Sequence, residues 1–525
     1  MKKYISFLLV IGLFSCKKQL ATTPTDTVSP SVYFNTESDL NNALTGVYYT
    51  LGENDLYGLF MPLYNAYNAD DLYWTANGNP VALFINNYTP TEGTYLLFWR
   101  KAYEGIYRAN LLLENINKPT MDSTRRNVIK GEALFLRGYF YYLLATHFGG
   151  VPMPLKSSFD IDNPGMPRSS LTAVYTQILT DMTAADSMVN PITAFNYNGH
   201  ITKTAVEGIL ARVNLSMAGF PLNETARYKD ALNWATKVYN SGLHALNPDY
   251  KQVFINLMQD IYDTKEDLWE VEFEVENAPT AYTPTGRWGN VIGITTNDLT
   301  VGVCSNFGSC TGKLFKSYAA DTNDVRMNWN CANFNYATTN NVTTKAYLKY
   351  TQNQYNRQMG KYRREYELTT PKNKNNTPCN FPVLRYSDVL LMLAEAENEV
   401  NGPTQLALNT LNLVRSRAKA KSFSYSGTTG AIIINQNKDS LRSVIQDERL
   451  RELCYETQRR LDLIRWGIYL PTMKALALDF KTNAPTVAYG NGKLSGDDAS
   501  ERNYFYPIPQ YEINLNPLLT QNPGY

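Results

Sequence analysis

Apolar residues recur every three or four positions through most of the chain, as they do in helices that bury one face. Between 99 and 116, Trp99, Ala102, Tyr103, Ile106, Tyr107, Asn110 and Leu111 fall on one such face, and 123 to 147 repeats the pattern through Ile129, Ala133, Leu136, Phe140 and Leu143. The second stretch closes at Gly149-Gly150 with Pro152 beyond, which are helix stop signals. Further helices are predicted at 170 to 188 behind a Ser169-Ser170 cap, at 203 to 218, and at 227 to 241 before Gly242. Helices return at 387 to 400 and 404 to 419, divided by Gly402-Pro403, and a last long helix is predicted from after Asp439 to about Arg465.

The middle of the chain breaks this rhythm. Trp269-Glu270-Val271-Glu272-Phe273-Glu274-Val275-Glu276 alternates strictly, which predicts a half-buried strand with its glutamates on a solvated face. From about 278 to 382 the sequence is rich in Asn, Thr, Gly and Tyr without a long periodic segment, and irregular insertions of this length in a compact domain usually carry function. Helix pairs of about 34 to 45 residues with alanine at contact positions predict tetratricopeptide-like units. The fold class is therefore mainly α: tetratricopeptide-like helix pairs, a large irregular loop-rich half and a few short strands.

The N-terminus addresses the compartment. Lys2 and Lys3 precede the apolar run Ile5 to Phe14, which is too short to span a bilayer, and Leu13-Phe14-Ser15-Cys16 follows as a lipobox. Residues 1–15 are expected to be a lipoprotein signal peptide, Cys16 the lipidated residue, and 16–30 a Thr- and Pro-rich tether. An exported chain permits disulfides, and Cys304, Cys310, Cys331 and Cys379 are the candidates for one or two bridges, with the pairing left open. Cys454 lies in a helical pattern and reads as a buried free thiol.

Composition narrows the chemistry. With 49 Lys+Arg against 48 Asp+Glu, nothing points to a polyanionic partner, so no nucleic acid is expected. The 38 tyrosines are a surplus of amphipathic rings, suited to packing or to stacking on a ligand. Three scattered histidines, no zinc or EF-hand spacing, no nucleophile elbow and no phosphate loop leave metal, cofactor and hydrolase chemistry without visible machinery. Asp70-Asp71 is the carboxylate pair to weigh as a glycosidase acid and nucleophile, but adjacent loop side chains diverge, so ion pairing or ligand hydrogen bonding is the better reading.

Several stretches resemble one family. They are WRKAYEGIYRANLLLENI (Trp99 to Ile116), GEALFLRGYFYYLLATHFGGVPMPL (Gly131 to Leu155), LRYSDVLLMLAEAENE (Leu384 to Glu399), ALNTLNLVRSRA (Ala407 to Ala418), ERLRELCYETQRRLDLIRWG (Glu448 to Gly467) and FYPIPQYEINLNPLLTQNPGY (Phe505 to Tyr525). In type, order and spacing they are similar to the SusD/RagB-like outer-membrane lipoproteins. That resemblance implies a single domain over 31–525, with four tetratricopeptide-like helix pairs (about 31–260 and 383–475) and an irregular ligand-binding half (about 261–382 and 476–525). It also implies a non-catalytic protein, lipid-anchored on the outer membrane and facing the exterior, that hands an oligosaccharide or polysaccharide to a SusC-like TonB-dependent transporter. Peptide or glycopeptide capture of the RagB type and a tetratricopeptide-type envelope scaffold are the alternatives. Carried onto this chain by region, the ligand site would use Asp70, Asp71, Tyr73, Trp74, Asn77 and Tyr88 from the first stretch and Tyr282, Arg287 and Trp288 from the second, with Phe307 and Trp329 behind them. Trp99, Trp234, Trp269 and Trp466 fall in periodic segments and are assigned to the core.

Overall fold

Helix caps written into the sequence start the architecture. The computed structural model describes residues 33–75, 81–158, 165–275, 284–319, 321–486 and 490–525. The signal segment, Cys16 with its tether, Asn77 and Tyr282 lie outside these. Helix α1 (Glu37–Gly52) opens on a reciprocal cap: the Asp39 amide donates to the Thr36 hydroxyl, and the Thr36 amide donates to the Asp39 carboxylate. Helices α2 (Gly93–Asn115) and α3 (Ser123–Phe148) form the first long hairpin. The Asp122 carboxylate caps α3 by accepting from the Arg125 amide at 2.9 Å, and Gly149 ends it at φ 77°. The pair closes so tightly at Gly105 that a β-carbon there would lie 2.3 Å from the Phe140 ring.

Helices α4 (Leu171–Asp186), α5 (Lys203–Ala218), α6 (Arg227–Asn240) and α7 (Tyr250–Gln259) follow; α8 (Tyr386–Asn401) packs on α6 and turns through Gly402 into α9 (Gln405–Arg417). The molecule is mainly α-helical with short strands, in agreement with the periodicity. Strand β1 (Leu72–Trp74) pairs antiparallel with β3 (Gly308–Cys310), β2 (Asp267–Val271) with β6 (Phe381–Arg385), and β4 (Phe334–Thr339) with β5 (Val342–Tyr347). The β4–β5 hairpin lies within the stretch read as loops.

Two sequence expectations are corrected. The predicted long helix after Asp439 is two helices, α10 (Lys438–Leu453) and α11 (Arg459–Arg465), followed by α12 (Tyr469–Asn483). Between α10 and α11, Tyr455 (φ 65°) and Thr457 (φ 64°) turn left-handed. The glutamate strand is shorter than predicted and buried throughout, Glu270 being 2% exposed, while Glu272 beyond it is half-buried and Glu274 is exposed as expected. Asn380 on the neighbouring chain segment donates to Glu270 at 3.3 Å.

The charges of the α10–α11 segment are paired inside the core, as their density demands. Arg385, fully buried, reaches Glu266 at 2.9 Å, Glu452 at 3.1 Å and Glu456 at 2.7 Å. Arg326 binds Asp324, Glu448 and Glu452, while Arg449 joins Asp388 to Asp462. Trp99 and Trp269 are core residues as expected, whereas Trp234 and Trp466 are half-buried. Cys304, Cys310, Cys331 and Cys379 are buried free thiols like Cys454, so the expected bridges are not formed here.

Candidate ligand-binding site

Strand β1 carries the start of the Asp70 to Pro90 stretch to the surface one residue at a time. Leu72 and Tyr73 point inward, and Trp74, opposite Gly308 of β3, is half-exposed. The Thr75 amide donates to the Phe307 carbonyl at 3.0 Å, which continues the pairing and brings the Phe307 ring beside Trp74. Only glycine fits at 308, because a β-carbon would lie 2.4 Å from the Tyr67 hydroxyl.

The 3₁₀ turn Ala82–Ile85 then inserts Phe84 behind the indole. Trp74 stacks on Phe84 with centroids 4.3 Å apart and planes 17° from parallel, and Phe84 stacks in turn on Tyr64 at 5.6 Å and 7°. Phe307 lies 5.0 Å from Trp74, tilted by 35°, and Tyr67 braces the indole edge-on at 5.8 Å. The result is a row of four rings, Tyr64–Phe84–Trp74–Phe307, in which three are half-exposed and Phe84 is the buried backing. Burial raises the Tyr64 phenol above its usual range, opposed by the nearby guanidinium of the exposed Arg287. The row thus offers preformed apolar faces with a hydrogen-bonding cation at one end, at little entropy cost for immobilisation.

The other residues expected here take other work. Trp288 is fully buried, donates from Nε1 to the Cys379 carbonyl at 3.0 Å and meets Tyr362 and Phe381 edge-on, so its assignment as a sugar platform is corrected to core. Trp329 is likewise buried, under the Arg363 guanidinium at 3.9 Å. Tyr73 is buried against Phe480, and Tyr88 is buried between Tyr95, Tyr506 and Tyr525, so neither offers a face to a ligand. Asp70 binds Arg459 through both oxygens, at 2.6 and 2.9 Å, and Asp71 accepts the Tyr455 amide at 3.2 Å; both are interior braces of the α10–α11 break. The sequence pattern did not single out Tyr64 or Phe84. Phe84 lies in the Asp70 to Pro90 stretch, but no periodicity distinguishes it from a packing residue.

A larger cavity, about 650 Å³, lies between α10, α12 and the helix Gly312–Ser317. Its charges already have partners: Lys316 with Asp479 at 3.3 Å, Lys313 with Asp447 at 3.8 Å, Arg451 with Glu448 at 2.8 Å. A neutral ligand there would compete with formed ion pairs, whereas the ring row exposes apolar surface without them. The row is therefore the stronger candidate.

The SusD family model matches residues 266–525, and a model described as starch-binding associating with outer membrane matches residues 20–215. The chain belongs to the SusD family. SusD-like protein P25 of Formosa agariphila is 25% identical across 98% of this chain and 98% of its own. The crystal structure of a SusD homologue from Bacteroides thetaiotaomicron superposes with a TM-score of 0.84 at 26% identity, covering 94% of this chain and 98% of that one. Surface glycan-binding protein A from the same organism shares the fold, with a TM-score of 0.71 at 21% identity over 94% and 100% of the two chains.

Proposed function

We propose that this SusD-family member is a non-catalytic lipoprotein of the outer membrane that captures a neutral oligosaccharide on the Tyr64–Phe84–Trp74–Phe307 row and passes it to a TonB-dependent transporter. The observation that carries the reading is the row itself. Sugars present apolar C–H faces flanked by hydroxyls, and the half-exposed rings of Tyr64, Trp74 and Phe307 beside a guanidinium complement both. Family membership supports the sugar class, and one protein of the same fold is a surface glycan-binding protein. Lipidation at Cys16, exposure to the exterior and the transporter partner follow from the lipobox and the family resemblance.

Titration calorimetry against a panel of neutral oligosaccharides tests this. At least one is bound by the native protein, and Trp74→Ala lowers that affinity by about tenfold or more while the protein stays folded, as for an interface anchor. Incubation releases no new reducing ends. Unchanged affinity in Trp74→Ala removes the site, and binding confined to a peptide library moves the protein to the RagB-type reading. Co-purification in detergent with a TonB-dependent barrel is expected, and its absence favours the scaffold reading.

A further inference from the structure

A second cavity, about 350 Å³, opens between α1, the 195–201 loop and the end of β2. Its walls carry the rings of Tyr48, Tyr49 and Tyr197 and the carboxylates of Glu270 and Glu272. No lysine or arginine lines it, and its single basic residue is His200. His200 Nδ1 donates to Glu132 Oε2 at 2.9 Å; the Tyr48 hydroxyl donates to the same oxygen and accepts the Ile201 amide at 2.9 Å. His200 is thus shared between Glu132, which it contacts, and the more distant Glu272, two carboxylates against one imidazole.

Glu272 is only partly balanced, because one of its two oxygens has no donor among the described residues. A β-carbon on Gly199 would lie 2.4 Å from Glu272 Oε1, so the carboxylate rests against bare backbone, and that oxygen is buried with no donor among the described residues. Between the lining residues Tyr197 and Gly199, Asn198 is fully buried with both its amide atoms unpartnered. Burial, and then Asp260 for Glu272 and Asp267 for Glu270, raise both carboxyls above their usual range; at Glu272 the nearby His200 and a hydrogen bond from the Tyr262 hydroxyl oppose the rise without cancelling it. No group of three or more metal-ligating side chains occurs among the described residues, so the cavity offers too few ligands to make a metal ion the missing partner.

We propose that this cavity is a second ligand site that takes the protonated amine of an amino sugar, its ammonium on Glu272 and its ring among the tyrosines. An ammonium satisfies a carboxylate and the faces of aromatic rings together. Asn41 spends one of its two amide hydrogens and Thr45 its hydroxyl hydrogen on α1 carbonyls at 3.1 and 3.0 Å, which leaves acceptor oxygens on the cavity wall for hydroxyls. The cavity has room for a pyranose ring, not only for a bare ammonium. The choice of a sugar as the body carrying the amine rests on the function proposed above; the amine does not.

Calorimetry on the full-length protein tests it with four probes: the glucosamine disaccharide, its N,N′-diacetyl form, cellobiose, and Nα-acetyl-lysine methylamide. The free-amine disaccharide is expected to bind about tenfold or more tightly than the acetylated and neutral disaccharides at this site. Glu272→Gln should remove that preference, and Tyr197→Ala should weaken the amine disaccharide. Equal affinity for the free-amine and acetylated disaccharides, a preference that survives Glu272→Gln, or lysine methylamide binding as tightly as the sugar would each overturn the proposal. Amine binding without any neutral-glycan binding would instead remove the ring-row reading and leave this one standing.

Discussion

Asp70 and Asp71 are consecutive, equally buried and oppositely tuned. Burial works against the Asp70 charge, but the two-pronged contact with Arg459 outweighs it and holds the carboxyl below its usual range. Asp71 has only the Tyr455 amide, and burial followed by the Asp70 charge pushes its pKa up to about 6. A carboxyl raised in the folded state holds its proton more tightly there than in the unfolded chain, so its contribution falls as pH rises from about 4 to 6. Asp71→Asn keeps the acceptor for Tyr455 and removes that penalty. The variant should gain on the order of 3 kcal/mol above pH 6 and nothing below pH 4, read from denaturant midpoints at both pH values. A gain that is the same at both would show that Asp71 is ionised throughout. Neither role was legible in the sequence, because both partners lie more than 380 positions away. Trp288 makes the same point: turn residues surround it in sequence, yet Tyr362 and Phe381 close over it.

The elements were more legible than their ends. Caps and glycine stops near the helix termini are local signals, so the α2–α3 and α8–α9 hairpins could be read directly. The α10–α11 break has no proline or glycine within it; Asp70 and Asp71, arriving from the other end of the chain, hold it open. Glu270 of β2 misled for a related reason, since alternation reveals that two faces differ without revealing that both are covered where β6 and Asn380 lie against the strand, whereas Glu274 past its end is exposed. The ion network across α10 and β6 sets the acid response. Burial opposes the charges of Glu452 and Asp388, but Arg417, Arg385 and Arg326 around the first, and Arg449 and Arg212 around the second, bring both to about 2. Carboxyls depressed in the folded state contribute fully above their unfolded value near 4, and that contribution is lost as pH falls toward 2. Tm should therefore drop steeply between about pH 4 and pH 2. Glu452→Gln, which leaves Arg385 and Arg417 short of an anion, should cost about 3–5 kcal/mol at pH 7 and much less at pH 2.

At the scale of the molecule, most of the tyrosine surplus proves structural. Tyr95 stacks on Tyr506 at 4.2 Å, and the Tyr525 hydroxyl donates to the Arg502 and Phe505 carbonyls, so rings fasten the C-terminal segment to the first hairpin. What remains for a ligand is a short, nearly uncharged row on a chain of net charge +1. Such a surface has almost no long-range field for salt to screen, and stacking is insensitive to ionic strength. Neutral-glycan affinity should therefore change by less than about twofold between 50 and 500 mM NaCl, with Arg287→Gln reducing it modestly and equally at both. The Glu272 cavity should behave differently, because an ammonium bound to a carboxylate is weakened by salt in proportion to its exposure. Measuring both probes in one salt series separates the two sites on a single protein. A neutral glycan whose affinity fell about tenfold across the series would mean that charge dominates its recognition, and the ring row would no longer account for it.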